Sequence, residues 1–190
     1  MFRDFTRSLR MLVVLTLVCG IAYPLAVWAI SQAAFADAAN GSLVKENGKV
    51  VGSARLGQAF DGDRWFQGRP SAVAYSSDPV ASSGGTNLGP NSKDLSAAIA
   101  KELARRAALE HVAKSAVPVD LVTSSASGLD PDVSPASALL QVPRVARARG
   151  LDEAVVERLV RSKIIDPTLG LFGARRVNVL RLNLALDRLR

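Results

Sequence analysis

The sequence predicts an α+β fold, with one N-terminal transmembrane helix followed by a single extracytoplasmic α+β domain. Three observations carry that prediction. An uncharged run extends from Met11 to Ala36 in a chain that is 22% charged overall. Beyond it, short valine-rich segments around an Asn-Gly pair alternate with apolar repeats of helical period, the mixture expected of one α+β domain. The only cysteine, Cys19, lies inside the uncharged run, so no disulfide forms within the chain and the domain depends on its core. With 190 residues there is room for one domain of ordinary size and an appendage.

The run "MLVVLTLVCGIAYPLAVWAISQAAFA" is long enough to span a bilayer, since about 20 helical residues cross roughly 30 Å of hydrocarbon. The chain divides into a cytoplasmic basic leader at residues 1–10, a transmembrane helix at 11–36 and an extracytoplasmic domain at 37–190. Arg3, Arg7 and Arg10 make the leader basic, and basic flanks of a first span stay inside. Ala34-Phe35-Ala36 would serve as a signal cleavage site, but the apolar core exceeds the roughly 7–15 residues of a typical signal. A retained anchor is expected. Val18 before Cys19 argues against a lipid-modified cysteine.

The net charge of +7 does not make this a nucleic-acid protein. Its basic residues alternate with acidic ones, as in "KELARRAALE", which is the pattern of a solvated helix face.

Taken in order, "SLVKENGKVVGS" reads as a hairpin turning at Asn47-Gly48, two residues that tolerate positive φ. Residues 64–92, rich in Gly, Pro, Ser and Asn, read as an ordered loop anchored by Trp65, Phe66 and Tyr75. A helix follows, capped by Asn91 with Asp94 three residues on and with Leu95, Ile99, Leu103 and Ala107 on one face. "VPVDLVT", Val117 to Thr123, is expected to be a strand. Ser134-Pro135 opens another helix, and Pro143 should break it into two short ones. Gly150 ends that section, Asp152 caps the next helix, and the tail "RVNVLRLNLALDRL" reads as a strand feeding a terminal helix.

Candidate chemistry is thin. A serine nucleophile needs a base, and the only histidine is His111. "SASGL" carries Ser125 where a nucleophile elbow needs glycine, which leaves an anchored or secreted hydrolase using Ser125 or Ser127 as the alternative reading, beside a secreted binding domain. "DPDVSP" lacks the ligand spacing of a calcium loop, so Asp130 and Asp132 read as turn and helix-entry residues. "GGTNLGPNSK" spaces Gly84 and Gly89 like a phosphate loop, but Pro90 stands where lysine is needed. Within the span, Cys19, Ala22, Ala26, Ala29 and Ala33 fall at spacings of 3, 4, 3 and 4. Such a small-residue stripe suits close packing against a partner helix, and Pro24 is best tolerated where protein surrounds it.

The runs "GRPSAVAYSSDPVASSGGTNLGPNS", "DLVTSSASGLDPDVSPASALLQVPRVARARG" and "RVNVLRLNLALD", behind one N-terminal span, resemble KdpC over nearly the whole chain. KdpC is the small subunit family of the Kdp ATP-driven potassium transporter of bacteria. The resemblance implies a non-catalytic subunit of the inner membrane. Its partners would be a channel-like potassium-binding subunit and an ATP-hydrolysing subunit. It implies that ATP and K+ are used by the complex while this chain alone binds no cofactor or metal. It also implies an assembly role and a chaperone-like increase in ATP affinity, with Gln141 of "QVPRVA" linked to nucleotide. The residues alone read Gln141 as a helix-surface amide beside a proline kink.

Overall fold

The computed structural model describes residues 2–73, 75 and 82–189. The predicted loop at positions 74 and 76–81 lies outside the described residues. The fold is mixed helix and sheet, in two compact units at Met1–Leu43 and Val44–Arg190.

The first unit is a nearly continuous helical run, α1 (Phe2–Leu17), a π turn (Val18–Ala22) and α2 (Tyr23–Ala34), followed by the short α3 (Ala36–Ala39). Residues 2–34 are long and apolar enough to cross a membrane. The π turn has a local cause. Pro24 offers no N–H, and its ring would press on the carbonyl four residues back. The helix widens ahead of it, and Tyr23 N–H donates to Val18 O, five residues earlier.

The second unit opens with the predicted hairpin, β1 (Leu43–Glu46) and β2 (Lys49–Ser53), turning at Asn47 (φ 49°) and Gly48 (φ 78°). Helix α4 (Lys93–Glu110) starts one residue later than predicted. Ser92, not Asn91, is the cap: its backbone is extended and its Oγ accepts from Leu95 N–H at 3.3 Å. The predicted strand at Val117–Thr123 is not formed. A 3₁₀ turn, Val119–Leu121, takes its place, and another, Lys114–Ala116, precedes it; Val119–Leu121 is the second of the two. Pro118 starts the second turn with a fixed φ, and Thr123 Oγ1 folds back onto Val119 O at 2.9 Å.

Strand β3 (Asp132–Val133) leads into α5 (Pro135–Leu140), capped as expected by Ser134, whose Oγ accepts from Ser137 N–H. Pro143 does separate two helices: α6 (Val142–Arg149) follows α5 after Gln141. Gly150 takes φ 66° to end α6, and Asp152 caps α7 (Glu153–Ser162) by accepting from Ala154 N–H at 2.7 Å. Then come β4 (Ile164–Ile165), β5 (Arg176–Asn178) and α8 (Val179–Asp187), the strand-to-helix tail. The three strands pair antiparallel in the order β3-β5-β4, with Val177 opposite both Val133 and Ile164.

The core lies where α5–α8 meet this small sheet. Val145, Val156, Val160, Val177, Leu182 and Leu186 are fully buried, together with Phe66 and Leu121 from the loops. Spacings of four residues (Val156/Val160, Leu182/Leu186) place these side chains on one face of their helices.

Candidate functional site

The polar chemistry of the domain gathers in two places, both organised around segment 63–71. The first is the turn "SASGLDPD". Ser125 Oγ and Ser127 Oγ lie 3.0 Å apart, and they accept from Gly128 N–H and Leu129 N–H at 3.2 and 3.1 Å. Both hydroxyls are spent on the turn itself. The turn's own backbone receives the neighbouring segments: Ser125 N–H donates to Pro70 O, Gly84 N–H to Ser127 O, and Gly57 N–H to Leu129 O. Gly128 sits at φ 70°, where an added Cβ would come within 2.4 Å of Val73 and 2.6 Å of Gly84 O. Only glycine fits.

Asp130 has the turn role expected of it, whereas Asp132 does not, since it lies in β3 and its carboxylate reaches across to β5. Asp130 Oδ1 accepts from Asp132 N–H at 3.0 Å, and its other oxygen pairs with Arg69 at 2.8 Å. Asp132 meets Arg176 and Asn178. Asp120 anchors the entry to α5, accepting from Ser134 N–H, Ser134 Oγ and Ser137 Oγ. The glycine loop also lacks a free phosphate cradle at Gly84, whose N–H is taken by Ser127. His111 ends α4 in the left-handed conformation (φ 55°) and is exposed. Among the described residues, no group of three or more His, Cys, Asp or Glu side chains could hold a metal ion.

The second place is a buried seam in which α4, α6 and α8 grip residues 63–68. Gln141 is completely buried, so the expectation of a helix-surface amide is corrected. Its Oε1 accepts from Gln67 N–H (2.8 Å) and Arg144 Nη2 (2.9 Å), and its Nε2 donates to Gln67 O (3.0 Å) and Ser137 O (3.1 Å). That uses the full capacity of a primary amide, two donors and two acceptor positions. Asn183 does the same for the preceding residue, accepting from Phe66 N–H at 3.0 Å and donating to Phe66 O at 2.9 Å. Two helix-borne amides thus replace the ladder that a neighbouring strand would have given Phe66 and Gln67.

Charge completes the seam. Arg144 Nε meets both oxygens of Glu110 at 3.0 and 3.1 Å, with the two side chains 5% and 0% exposed. Arg144 Nη1 donates to Asp63 O and Trp65 O. Burial pushes the Glu110 carboxyl above its ordinary range, against the pull of Arg144. Nearby, Arg106 donates to Glu102, Gln67 Oε1 and Gly68 O. Burial alone would raise Glu102, but the Arg105 hydrogen bond and the Arg105 and Arg106 charges bring it below its ordinary range. Two guanidiniums lie over the Trp65 ring, Arg64 at 5.5 Å and Arg149 at 4.4 Å from its centroid.

Sequence reasoning named Gln141 but missed Glu110, Arg144 and Asn183. A signal existed: Glu110 lies three residues from Ala107 on the apolar face of α4, and Asn183 sits inside "VLRLNLALD", an otherwise apolar helix. In the first unit, Ala22, Ala26, Ala29 and Ala33 are all exposed. Cys19 and Ala22 lie within the π turn, and Ala26, Ala29 and Ala33 in α2.

Comparison with known proteins bears on the whole chain. The family described as KdpC, K+-transporting ATPase, c chain, matches residues 5–188. A potassium-transporting ATPase KdpC subunit of Rhodopseudomonas palustris is 50% identical, with 98% of each chain covered. Those of Bradyrhizobium diazoefficiens and Mycobacterium tuberculosis are each 48% identical, the first covering 99% of this chain and 98% of its own, the second all of both.

Proposed function

The chain belongs to the KdpC family of potassium-transporting ATPase subunits, and from that premise we propose that it is the non-catalytic, membrane-anchored subunit of a bacterial potassium pump. It assembles with a channel-like potassium-binding subunit and an ATP-hydrolysing subunit, and raises the ATP affinity of the latter. The match across residues 5–188 is the observation that carries this reading. The chemistry of the chain supports it. Ser125 and Ser127 hold their own turn and the amide of Gln141 is fully bonded within the seam. An unburied apolar helix of 33 residues is suited to lipid and to partner helices.

The leader arginines orient the helix with its N-terminus in the cytoplasm and the domain outside, in the inner membrane. Cytoplasmic ATP is then separated from Gln141 by about 30 Å of hydrocarbon. Any influence on nucleotide runs through conformational coupling, of the order of 1–3 kcal/mol. Gln141 acts in this scheme by fixing segment 63–68 in the shape that partners meet.

Gentle detergent extraction of the tagged chain tests the reading. Two large membrane subunits should co-purify, and the complex lacking this chain should need about five- to 150-fold more ATP for half-maximal hydrolysis. Recovery of the chain alone from membranes expressing all subunits would refute assembly. A photoreactive ATP adduct on this chain in sealed, correctly oriented vesicles would refute the indirect mechanism. In the assembled complex, His111→Ala and Ser125→Ala should leave potassium uptake near wild type, and its loss would restore the hydrolase reading.

A further inference from the structure

The leader ahead of the uncharged run is not a loose tail. Helix α1 begins at Phe2 and continues without a break into that run, with Thr6 Oγ1 donating to Phe2 O at 3.0 Å. The leader residues therefore stand at fixed heights and directions. Arg3, Arg7 and Arg10, spaced by 4 and 3, fall within roughly 60° of arc on one face. Phe2, Phe5 and Leu9, spaced by 3 and 4, gather roughly 130° away round the helix. All six side chains are exposed. The arginines are also poorly matched. Arg3 and Arg10 have no hydrogen bond or ion pair among the described residues, and Arg7 has a 3.5 Å contact with Asp4, itself 72% exposed. By contrast, Arg69, Arg106, Arg144 and Arg149 of the second unit each meet a carboxylate at 3.0 Å or less.

We propose that this arginine face binds the phosphodiester headgroup of an anionic phospholipid. The proposal rests on the anchored reading above, and the place of the leader in that reading names the occupant. With the hydrocarbon layer starting at Met11, a rise of 1.5 Å per residue sets the Cα atoms of Arg10, Arg7 and Arg3 about 1.5, 6 and 12 Å outside it. The headgroup layer is about 5–8 Å deep on each side. Arg10 and Arg7 therefore lie at the level of the lipid phosphates, and Arg3 beyond them. Helical side chains lean toward the helix N-terminus, which here is away from the hydrocarbon. Guanidiniums bind phosphate through paired hydrogen bonds, and Arg7 and Arg10, three residues apart, are neighbours that can share one headgroup. Orienting a span by its basic flank requires only that the arginines be present, in any arrangement. A common face is an extra feature, and a bound headgroup uses it. A zwitterionic lipid brings its own ammonium to the phosphate, whereas an anionic lipid leaves its charge for the arginines.

Native mass spectrometry of the full chain in detergent, titrated with phosphatidylglycerol or phosphatidylcholine, tests this. Wild type should prefer phosphatidylglycerol by about tenfold or more. Arg7→Gln and Arg10→Gln should each weaken phosphatidylglycerol binding about fivefold, and Arg3→Gln by less than about twofold. Arg147→Gln, which removes an exposed arginine of the second unit, should change nothing. Glutamine is nearly as good a helix former as arginine, so the leader variants should keep the thermal midpoint of wild type. Equal binding of the two lipids, equal effects at all four positions, or unchanged binding after Arg7→Gln with Arg10→Gln each overturn the proposal. If that double variant loses the other subunits in detergent yet keeps its preference for phosphatidylglycerol, the arginines meet acidic protein and the lipid site is refuted. Recovery of the wild-type chain in the soluble fraction, cut after Ala36, would refute the anchored reading itself. A chain that stays in the membrane but shows no lipid preference would refute the headgroup site alone.

Discussion

The grip on residues 63–68 and the tip of the β4–β5 connection at 168–172 are opposites. The grip buries a carboxylate, a guanidinium and two amides, whereas the tip holds two leucines and a phenylalanine in water. The grip is closed, with Arg144, Gln141 and Asn183 bonded to backbone and to one another. The tip is closed only in its backbone. Polarity alone therefore does not tell which surface of this domain is free to act. What separates the two is whether the side chains already have partners inside the chain.

The sharpest way to break the contrast is to remove one side of the buried ion pair. Arg144→Met leaves the Glu110 carboxylate buried without its partner and orphans the carbonyls of Asp63 and Trp65. We expect a loss of about 3–5 kcal/mol in denaturant titration of the full chain, followed by tryptophan fluorescence. The double variant Glu110→Gln with Arg144→Met should recover much of that loss. A double variant no better than the single one would show that the carboxylate is not the cost. Next in size is Gln141→Leu, which keeps the volume but strands the N–H and C=O of Gln67. It should cost about 1–3 kcal/mol for each group left buried and unpaired, read as a shifted midpoint with unchanged slope.

A smaller effect should appear on acidification. Glu102 is held below its ordinary range, so its stabilisation is present above that range and is lost as pH falls through the depressed value. Wild type should therefore exceed Glu102→Gln at neutral pH, and the two should converge in acid. A difference independent of pH would assign the effect to packing. Smallest of all, Leu171→Ser at the tip should change stability by under about 0.5 kcal/mol. A loss above 1 kcal/mol would mean that the tip packs within the chain after all, which would end its contrast with the grip.

Much of the architecture was legible because its causes are local. An uncharged run, an Asn-Gly turn, Ser134-Pro135 at a helix start and Gly150-Asp152 between two helices act within a few residues. The structure forms each where the sequence indicates it. Local reasoning failed where two local signals competed. Asn91 and Ser92 are both good caps, and the extended backbone at Ser92 decided between them. Val117–Thr123 has the composition of a strand, but Pro118 and the back-bonding Thr123 made turns the better local solution.

The sequence by itself determined the class of this protein: a helix long and apolar enough to cross a membrane, and an α+β domain that contains no cysteine. Only the tertiary structure decided what its polar residues do. Gln141 finds Gln67 across 74 residues, Arg144 finds Glu110 across 34, and Asn183 finds Phe66 across 117. Helix period announces which face a residue occupies, but it does not say which distant backbone will lie against that face. An amide that could have faced solvent thus became a buried clamp once the chain had closed. Three apolar residues that could have joined the core remained outside it, because the bonds between Thr168 and Phe172 closed the turn with their side chains pointing into solvent.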